Sequence, residues 1–307
     1  MLPELDPVFT LSDLQNWQRP GVSLAVLGHP IKHSISPPMH NAALAALARQ
    51  DPRFHDWKYF RFDIHPDDLP RALELLHARK FRGVNLTVPH KVIAFDRVSQ
   101  VDPAARPIGA VNTLLWTKDG WHGFNTDGYG LAAAIGETLG LSLSGTPVIL
   151  LGAGGAARGA AVECLQRGCS SLWILNRTRD NLDTLFELLK PLAKETPVHR
   201  FVLSDAPPPF PARALFIQAT TVGLQAAPTV PFQLQQLMSP AGVFEMIYNP
   251  PETLLLAKAR ELGIPHANGL SMLVHQGAKS LEIWSGIPAT QTAPTMLAAA
   301  QAALRTS

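Results

Sequence analysis

The stretch PVILLGAGGAARG, residues 147–159, decides the fold. Val148, Ile149, Leu150 and Leu151 form a short, continuous apolar run, the pattern of a strand buried on both faces. Gly152, Ala153, Gly154, Gly155, Ala156 and Ala157 follow at once and lead into a helix-compatible stretch over residues 158–166. This is the G-x-G-x-x-A form of a dinucleotide fingerprint. Gly152 makes the tight turn, Gly154 lets the backbone approach a pyrophosphate, and Ala157 packs helix on strand. The pyrophosphate would rest on the free N–H groups of the helix start. A glycine-rich turn in an ordinary α/β unit is the plainer alternative.

The second strand of the unit, residues 171–175, ends at Asn176, Arg177 and Thr178. NAD sites usually place a carboxylate here for the ribose 2′-hydroxyl. An amide, a guanidinium and a hydroxyl suit a 2′-phosphate instead, for which Arg is the natural bidentate partner. NADP is therefore expected over NAD.

A chain of 307 residues with 46% apolar content accommodates two cored domains. A formal net charge of +2, with its basic residues scattered, gives no field that implies nucleic acid. Cys164 and Cys169 are the only cysteines and lack metal-type spacing, so reduced buried thiols in a cytosolic protein are expected. The first residues carry Glu4, Asp6 and Asp13 and do not resemble a signal peptide. No apolar run approaches membrane-span length, and none of the His residues suggests a metal site.

Outward from the glycine turn, strand–helix alternation runs in both directions and argues for a parallel, doubly wound sheet. Towards the N-terminus, Thr10 with Asp13 three residues on reads as the cap of a short helix. Residues 22–27 read as a strand. Ser34 and Ser36 precede a Pro-started helix over residues 38–49, where two hydroxyls can hold a carboxylate, or Ser36 can simply cap. Residues 56–64 read as a strand and 66–79 as a helix with Leu69, Leu73 and Leu76 on one face. Asn85 and Thr87 share a face of the strand that begins at residue 81. Lys91 stands at its C-terminal edge, where open α/β sheets bind ligands; a solvated lysine starting a helix is the alternative. Residues 101–106 read as a loop and residues 108–115, with Asn112, as a strand. Asp127 opens a helix and could serve only its dipole. The segments over residues 270–284 and 293–304 read as helices, the first carrying Gln276.

Eight segments in one order complete the picture: GHPIKHSISP, GVNLTVPHK, IGAVNTL, GFNTDGYG, GAGGAARG, NRT, EMIYNP and NGLSMLVHQ. Together they resemble the shikimate dehydrogenase family over nearly the whole chain. The resemblance implies an N-terminal α/β substrate domain completed by C-terminal helices (residues 1–126 plus 270–307). It also implies a Rossmann-type NADP-binding domain (residues 127–269). The implied activity is reversible NADPH-dependent reduction of 3-dehydroshikimate to shikimate, in chorismate and aromatic amino-acid biosynthesis. It implies further that Lys91 and Asp127 are the catalytic pair. Ser34 and Ser36 would bind the substrate carboxylate, Asn85, Thr87, Asn112 and Gln276 its ring hydroxyls, with Tyr248 close by. Gly152, Ala153, Gly154, Gly155, Ala156, Asn176, Arg177 and Thr178 would bind NADP, with Met246 and Gly269 beside the nicotinamide. The expected setting is cytoplasmic, as a monomer or homodimer, without metal, nucleic acid or membrane.

Three positions depart from the family pattern. Asn181 stands where a second arginine is common, Ser271 replaces a glycine, and Glu245 replaces Asp. A quinate/shikimate dehydrogenase using NAD(P), and a non-catalytic nucleotide or metabolite sensor on the same fold, are the alternatives.

Overall fold

The computed structural model describes residues 7–206, 208–224 and 230–305. The chain divides into two compact units, Met1–Thr126 with Gln276–Ser307, and Asp127–His275.

Among the described residues of the first unit, seven strands form one mixed sheet. Its spatial order is Val8–Phe9, Lys58–Asp63, Ser23–Gly28, Gly83–Leu86, Thr113–Thr117, Gly120–Phe124 and Gln100–Val101. The first four run parallel, as expected for strands joined by helical crossovers. Thr113–Thr117 then pairs antiparallel with Gly83–Leu86 and, through a short turn, with Gly120–Phe124. Every residue of Ser23–Gly28 is buried, as expected for a strand inside a mostly parallel sheet. Leu69, Leu73 and Leu76 of the helix Leu69–Ala78 enter the core beside Leu27, Phe62, Val84 and Trp121. The C-terminal helix Ala289–Arg305 packs against the helix Ser36–Ala48.

Local capping follows the sequence. The Thr10 N–H and hydroxyl both donate to Asp13 Oδ2, at 2.7 and 2.8 Å, and start the helix Leu11–Gln15. Elsewhere the local reading gives way. Residues 108–115 are not one strand. Arg106–Ile108 is a 3-10 turn that closes on Gly109 in the left-handed conformation at φ 64°, and the strand begins only at Thr113. Pro107 has no N–H to give a ladder, and the Gly109 twist breaks any extended run. Asn112 therefore stands at a strand entrance rather than inside it. The expected loop over residues 101–106 likewise begins with a short strand, Gln100–Val101, paired to Gly120–Phe124.

The second unit holds, among its described residues, six strands, all parallel. Their spatial order is Val198–Val202, Ser171–Asn176, Pro147–Leu151, Leu215–Gln218, Gly242–Glu245 and His266–Ala267. Numbered along the chain within this unit, that order is 3-2-1-4-5-6, the doubly wound arrangement of dinucleotide-binding folds. The order reverses between Pro147–Leu151 and Leu215–Gln218. The crevice at a reversal point lies beyond the C-terminal strand ends, where the Gly152 turn stands. Cys164 and Cys169 are buried and unbridged, and burial pushes the Cys169 thiol up to about 11, so both stay protonated at neutral pH.

Candidate active site

In the second unit the glycine turn has the geometry that its sequence asks for. Gly152 adopts φ 123°, a backbone angle closed to residues with a side chain, and its N–H donates to Leu175 O at 2.8 Å. Gly154 is the extended N-cap of the helix Gly155–Gln166, which starts earlier than the side-chain pattern implies. Gly154, Gly155 and Ala156 are exposed, while Ala157 is fully buried against the sheet. A Cβ placed on Gly154 or Gly155 would meet nothing within 4 Å. Open space thus lies over a helix start whose N–H groups have no side-chain cap.

Asn176 ends its strand, and its amide donates to Thr178 O at 2.9 Å and Thr178 Oγ1 at 3.0 Å. That fold of the turn leaves Arg177 and Thr178 exposed. Arg179, two residues before Asn181, reaches Asp205 at 3.4 Å. Met246 donates its N–H to Gln218 O at 3.0 Å, and Gly269 donates to Ile247 O at 2.9 Å. A Cβ on Gly269 would collide with the Met246 carbonyl, so only glycine permits this approach. Tyr248 is half-buried just past the strand Gly242–Glu245, and burial raises its phenol pKa.

Two departures from the family pattern are absorbed locally. Glu245 is fully buried, accepts from the Thr253 hydroxyl, and is pushed up by desolvation against the lowering effect of Thr253 and Gln218. Ser271 donates to Glu137, which also bonds His275 at 3.1 Å, so the serine ties the start of the helix Leu270–Ser285 to the helix Asp127–Leu139.

In the first unit a buried polar cluster forms. Ser34 is half-buried and its hydroxyl accepts the Ser36 N–H at 3.3 Å. Ser36 itself is buried and begins the helix Ser36–Ala48 rather than capping it. Beneath them the buried Arg61 donates to Lys32 O at 2.6 Å and Ser34 O at 3.2 Å, fixing the loop that carries the pair. Asn85 accepts from the Tyr59 hydroxyl at 2.8 Å, and its amide donates among Asn112 O, Thr113 Oγ1 and Ser280 Oγ at 2.9–3.1 Å. Asn112 is buried; its Oδ1 accepts the Thr126 N–H at 2.9 Å and its Nδ2 reaches Gln276 Oε1 at 3.4 Å. Thr87 is half-buried, one residue beyond the strand Gly83–Leu86.

Lys91 is not on the strand edge. The strand stops at Leu86, and Lys91 is the second residue of the short helix His90–Ile93. Pro89 has no N–H with which to continue the ladder, so the chain turns before Lys91. The Lys91 carbonyl accepts the Val111 N–H at 2.9 Å, which sets its helix beside Asn112. Asp127 is the first residue of the helix Asp127–Leu139, directly after Thr126.

Sequence reading passed over Tyr59, Thr113, Thr126 and Ser280, the partners of this cluster. Ser280 had a signal: it lies four residues after Gln276 in one helix and so shares its face. His40 was also passed over. Its ring stacks on Tyr59 with centroids 4.1 Å apart and planes at 1°, and neither ring nitrogen has a hydrogen-bond partner. Desolvation drops its pKa to about 3 from 6.5. The folded protein then refuses a proton that the unfolded chain binds below pH 6.5. Stability is fully present above that pH and declines as pH falls towards 3, by about 1.4 kcal/mol per unit. Urea unfolding at about pH 7.5 and about pH 4.5 measures it, and wild type is expected to lose about 2–3 kcal/mol more than His40→Leu between the two.

Among the described residues no helix is long and apolar enough to cross a membrane, and no group of three or more His, Cys, Asp or Glu could hold a metal.

Comparison with known proteins places this geometry in a family. The model of the shikimate dehydrogenase substrate binding domain matches residues 26–114, and that of the shikimate 5′-dehydrogenase C-terminal domain matches residues 269–301. The chain is 39% identical over 266 residues to shikimate dehydrogenase (NADP(+)) of Moorella thermoacetica, covering 86% of this chain and 88% of that protein. It superposes with a TM-score of 0.78 on shikimate 5-dehydrogenase of Thermus thermophilus, solved in complex with NADP(H) and shikimate. That pair is 33% identical over 92% of this chain and 99% of the other. A TM-score of 0.78 at 29% identity also relates it to 5-ketofructose reductase of a Gluconobacter species, covering 90% of this chain and 98% of that one.

Proposed function

The chain belongs to the shikimate dehydrogenase family, and on that premise we infer that it reduces 3-dehydroshikimate to shikimate with NADPH, reversibly, in aromatic biosynthesis. The observation that carries the inference is the pairing of two features in one chain: an uncapped glycine turn at a sheet reversal point, and a buried cluster of amides and hydroxyls around Asn112. The first suits a dinucleotide and the second a polyhydroxylated ring.

Gly152, Ala153, Gly154, Gly155 and Ala156 hold the pyrophosphate; Asn176, Arg177 and Thr178 hold the 2′-phosphate; Met246 and Gly269 border the nicotinamide. The exposed Arg177 and the open space over Gly154 and Gly155 fit these roles. Bound NADPH supplies the hydride. Ser34 and Ser36 bind the substrate carboxylate, while Asn85, Thr87, Asn112 and Gln276 sort its ring hydroxyls, with Tyr248 alongside. Lys91 donates the proton to the oxygen on which negative charge grows, and Asp127 is its partner in that step. The setting is cytoplasmic and the state a monomer or homodimer.

The test is turnover of 3-dehydroshikimate with NADPH and with NADH, and of shikimate against quinate in the reverse direction. Rapid NADPH oxidation with 3-dehydroshikimate supports the reading, and inertness towards it removes the reading. The cofactor assignment has its own check. Arg177→Ala is expected to raise the NADPH KM about tenfold or more, because a hydrogen bond to a charged group contributes about 1.5–3 kcal/mol. The NADH KM should move little. A variant with wild-type discrimination would transfer the role to another residue.

A further inference from the structure

We propose that Ser280 is a positioning residue. Its hydroxyl, acting through Thr113, holds the Asn112 carboxamide with Oδ1 turned inward and Nδ2 turned towards Gln276, and so sets which end of that amide a ring hydroxyl meets. This rests on the assignments of Asn112 and Gln276 given above.

Ser280 lies in the helix Leu270–Ser285, one turn after Gln276, and is fully buried. Asn85 Nδ2 donates to its hydroxyl at 2.9 Å. Thr113 Oγ1 stands 2.7 Å from it, Gln276 O 3.0 Å and Thr126 Oγ1 3.3 Å. Thr113 is fully buried as well, and its hydroxyl donates to Asn112 Oδ1 at 2.9 Å. Asn85, Asn112, Thr113 and Thr126 come from one stretch of the chain and Ser280 from another, yet all belong to the first unit.

Proton counting gives this contact a direction. A serine or threonine hydroxyl has one proton and two lone pairs. The Thr113 proton goes to Asn112 Oδ1, so Ser280 is the donor in the 2.7 Å contact with Thr113. The other acceptor within its reach, Gln276 O, is a carbonyl inside a helix and already receives a backbone N–H. Donation therefore runs one way. It passes from the Tyr59 hydroxyl to Asn85 Oδ1, from Asn85 Nδ2 to Ser280, from Ser280 to Thr113, and from Thr113 to Asn112 Oδ1. Bonds in such a chain strengthen one another. Its end is fixed independently. The Thr126 N–H meets Asn112 Oδ1 at 2.9 Å and can only donate, so a reversed amide would set two donors against each other. Asn112 Nδ2 accordingly faces Thr126 Oγ1 at 3.0 Å and Gln276 Oε1 at 3.4 Å. A ring hydroxyl bound at this amide meets a donor, with its own oxygen as acceptor.

Ser280→Ala tests the role by steady-state kinetics. The shikimate KM is expected to rise about three- to tenfold, the worth of one neutral hydrogen bond. The kcat should stay within about twofold, because an amide that holds a ring hydroxyl alike in ground and transition state contributes uniform binding. Ser280→Cys fills the same space but donates weakly, so its KM should rise as the alanine variant's does. Leu73→Ala controls for a loosened fold. Leu73 belongs to the core of the same unit and to none of these bonds. That variant should lose more Tm than Ser280→Ala while its shikimate KM stays within about twofold of wild type. Thr113→Val combined with Ser280→Ala should raise the KM by less than the product of the single effects, because both cut one chain. A wild-type shikimate KM in either Ser280 variant, an equal rise in Leu73→Ala, or multiplicative effects in the cycle would overturn the positioning role, while wild-type turnover of shikimate leaves the activity standing. A wild-type enzyme inert towards shikimate would overturn both.

Discussion

Lys91→Ala is expected to lower kcat by about 10²–10⁴-fold, the usual share of general acid catalysis. The shikimate KM should change far less. The ammonium acts on charge that grows only as hydride leaves or arrives, so its loss raises the transition state and spares the ground-state complex. The position of Lys91 supports this split. It sits on a four-residue helix tied through its carbonyl to the Val111 N–H, one residue before Asn112. Val88 and Val92, which flank it in sequence, are 72% and 56% exposed. Lys91 itself is half-buried and not part of the hydrophobic core, so its truncation leaves the core packing in place. Circular dichroism on the variant checks that. Asp127→Asn should lower kcat as well, since the amide lacks the charge that the carboxylate brings to the proton-transfer step. Wild-type kcat in Lys91→Ala would remove the acid from the mechanism and return Lys91 to a solvated helix-start lysine.

Replacing both Ser34 and Ser36 with alanine should raise the shikimate KM by about 10²-fold or more, since each hydrogen bond to a carboxylate contributes about 1.5–3 kcal/mol and two are lost. The NADP+ KM should stay close to wild type, because the pair belongs to the first unit and the glycine turn to the second. The single variants need not be equal. Ser34 carries an internal role as acceptor of the Ser36 N–H. An unchanged shikimate KM in the double variant would cancel the carboxylate assignment and leave the serines as parts of a helix start.

The sequence alone determined what depends on neighbours along the chain. A four-residue apolar run, a glycine-rich turn and a helix-compatible stretch of small residues are consecutive, so the dinucleotide turn is legible without a structure. The same holds for the Thr10–Asp13 cap and for the leucine face of the helix Leu69–Ala78, because helical periodicity and capping are local. The motif order also fixed which family to expect.

Tertiary structure decided what depends on partners far apart in the chain. Asn85 meets Ser280 across 195 residues, and Arg61 meets the serine loop across 27 to 29. No local pattern announces such bonds, so Tyr59, Thr113 and Thr126 were not legible in the sequence, and Ser280 only through its place one turn after Gln276. Lys91 moved from a strand edge to a helix for a related reason. Extended-compatible residues look alike on either side of Leu86, and only the ladder with Ser23–Gly28 and Thr113–Thr117 says where pairing stops. A polar side chain in a sequence is a set of donors and acceptors. Which are spent inside the protein and which remain for a ligand is settled only when distant segments pack, since most buried polar groups find their partners there.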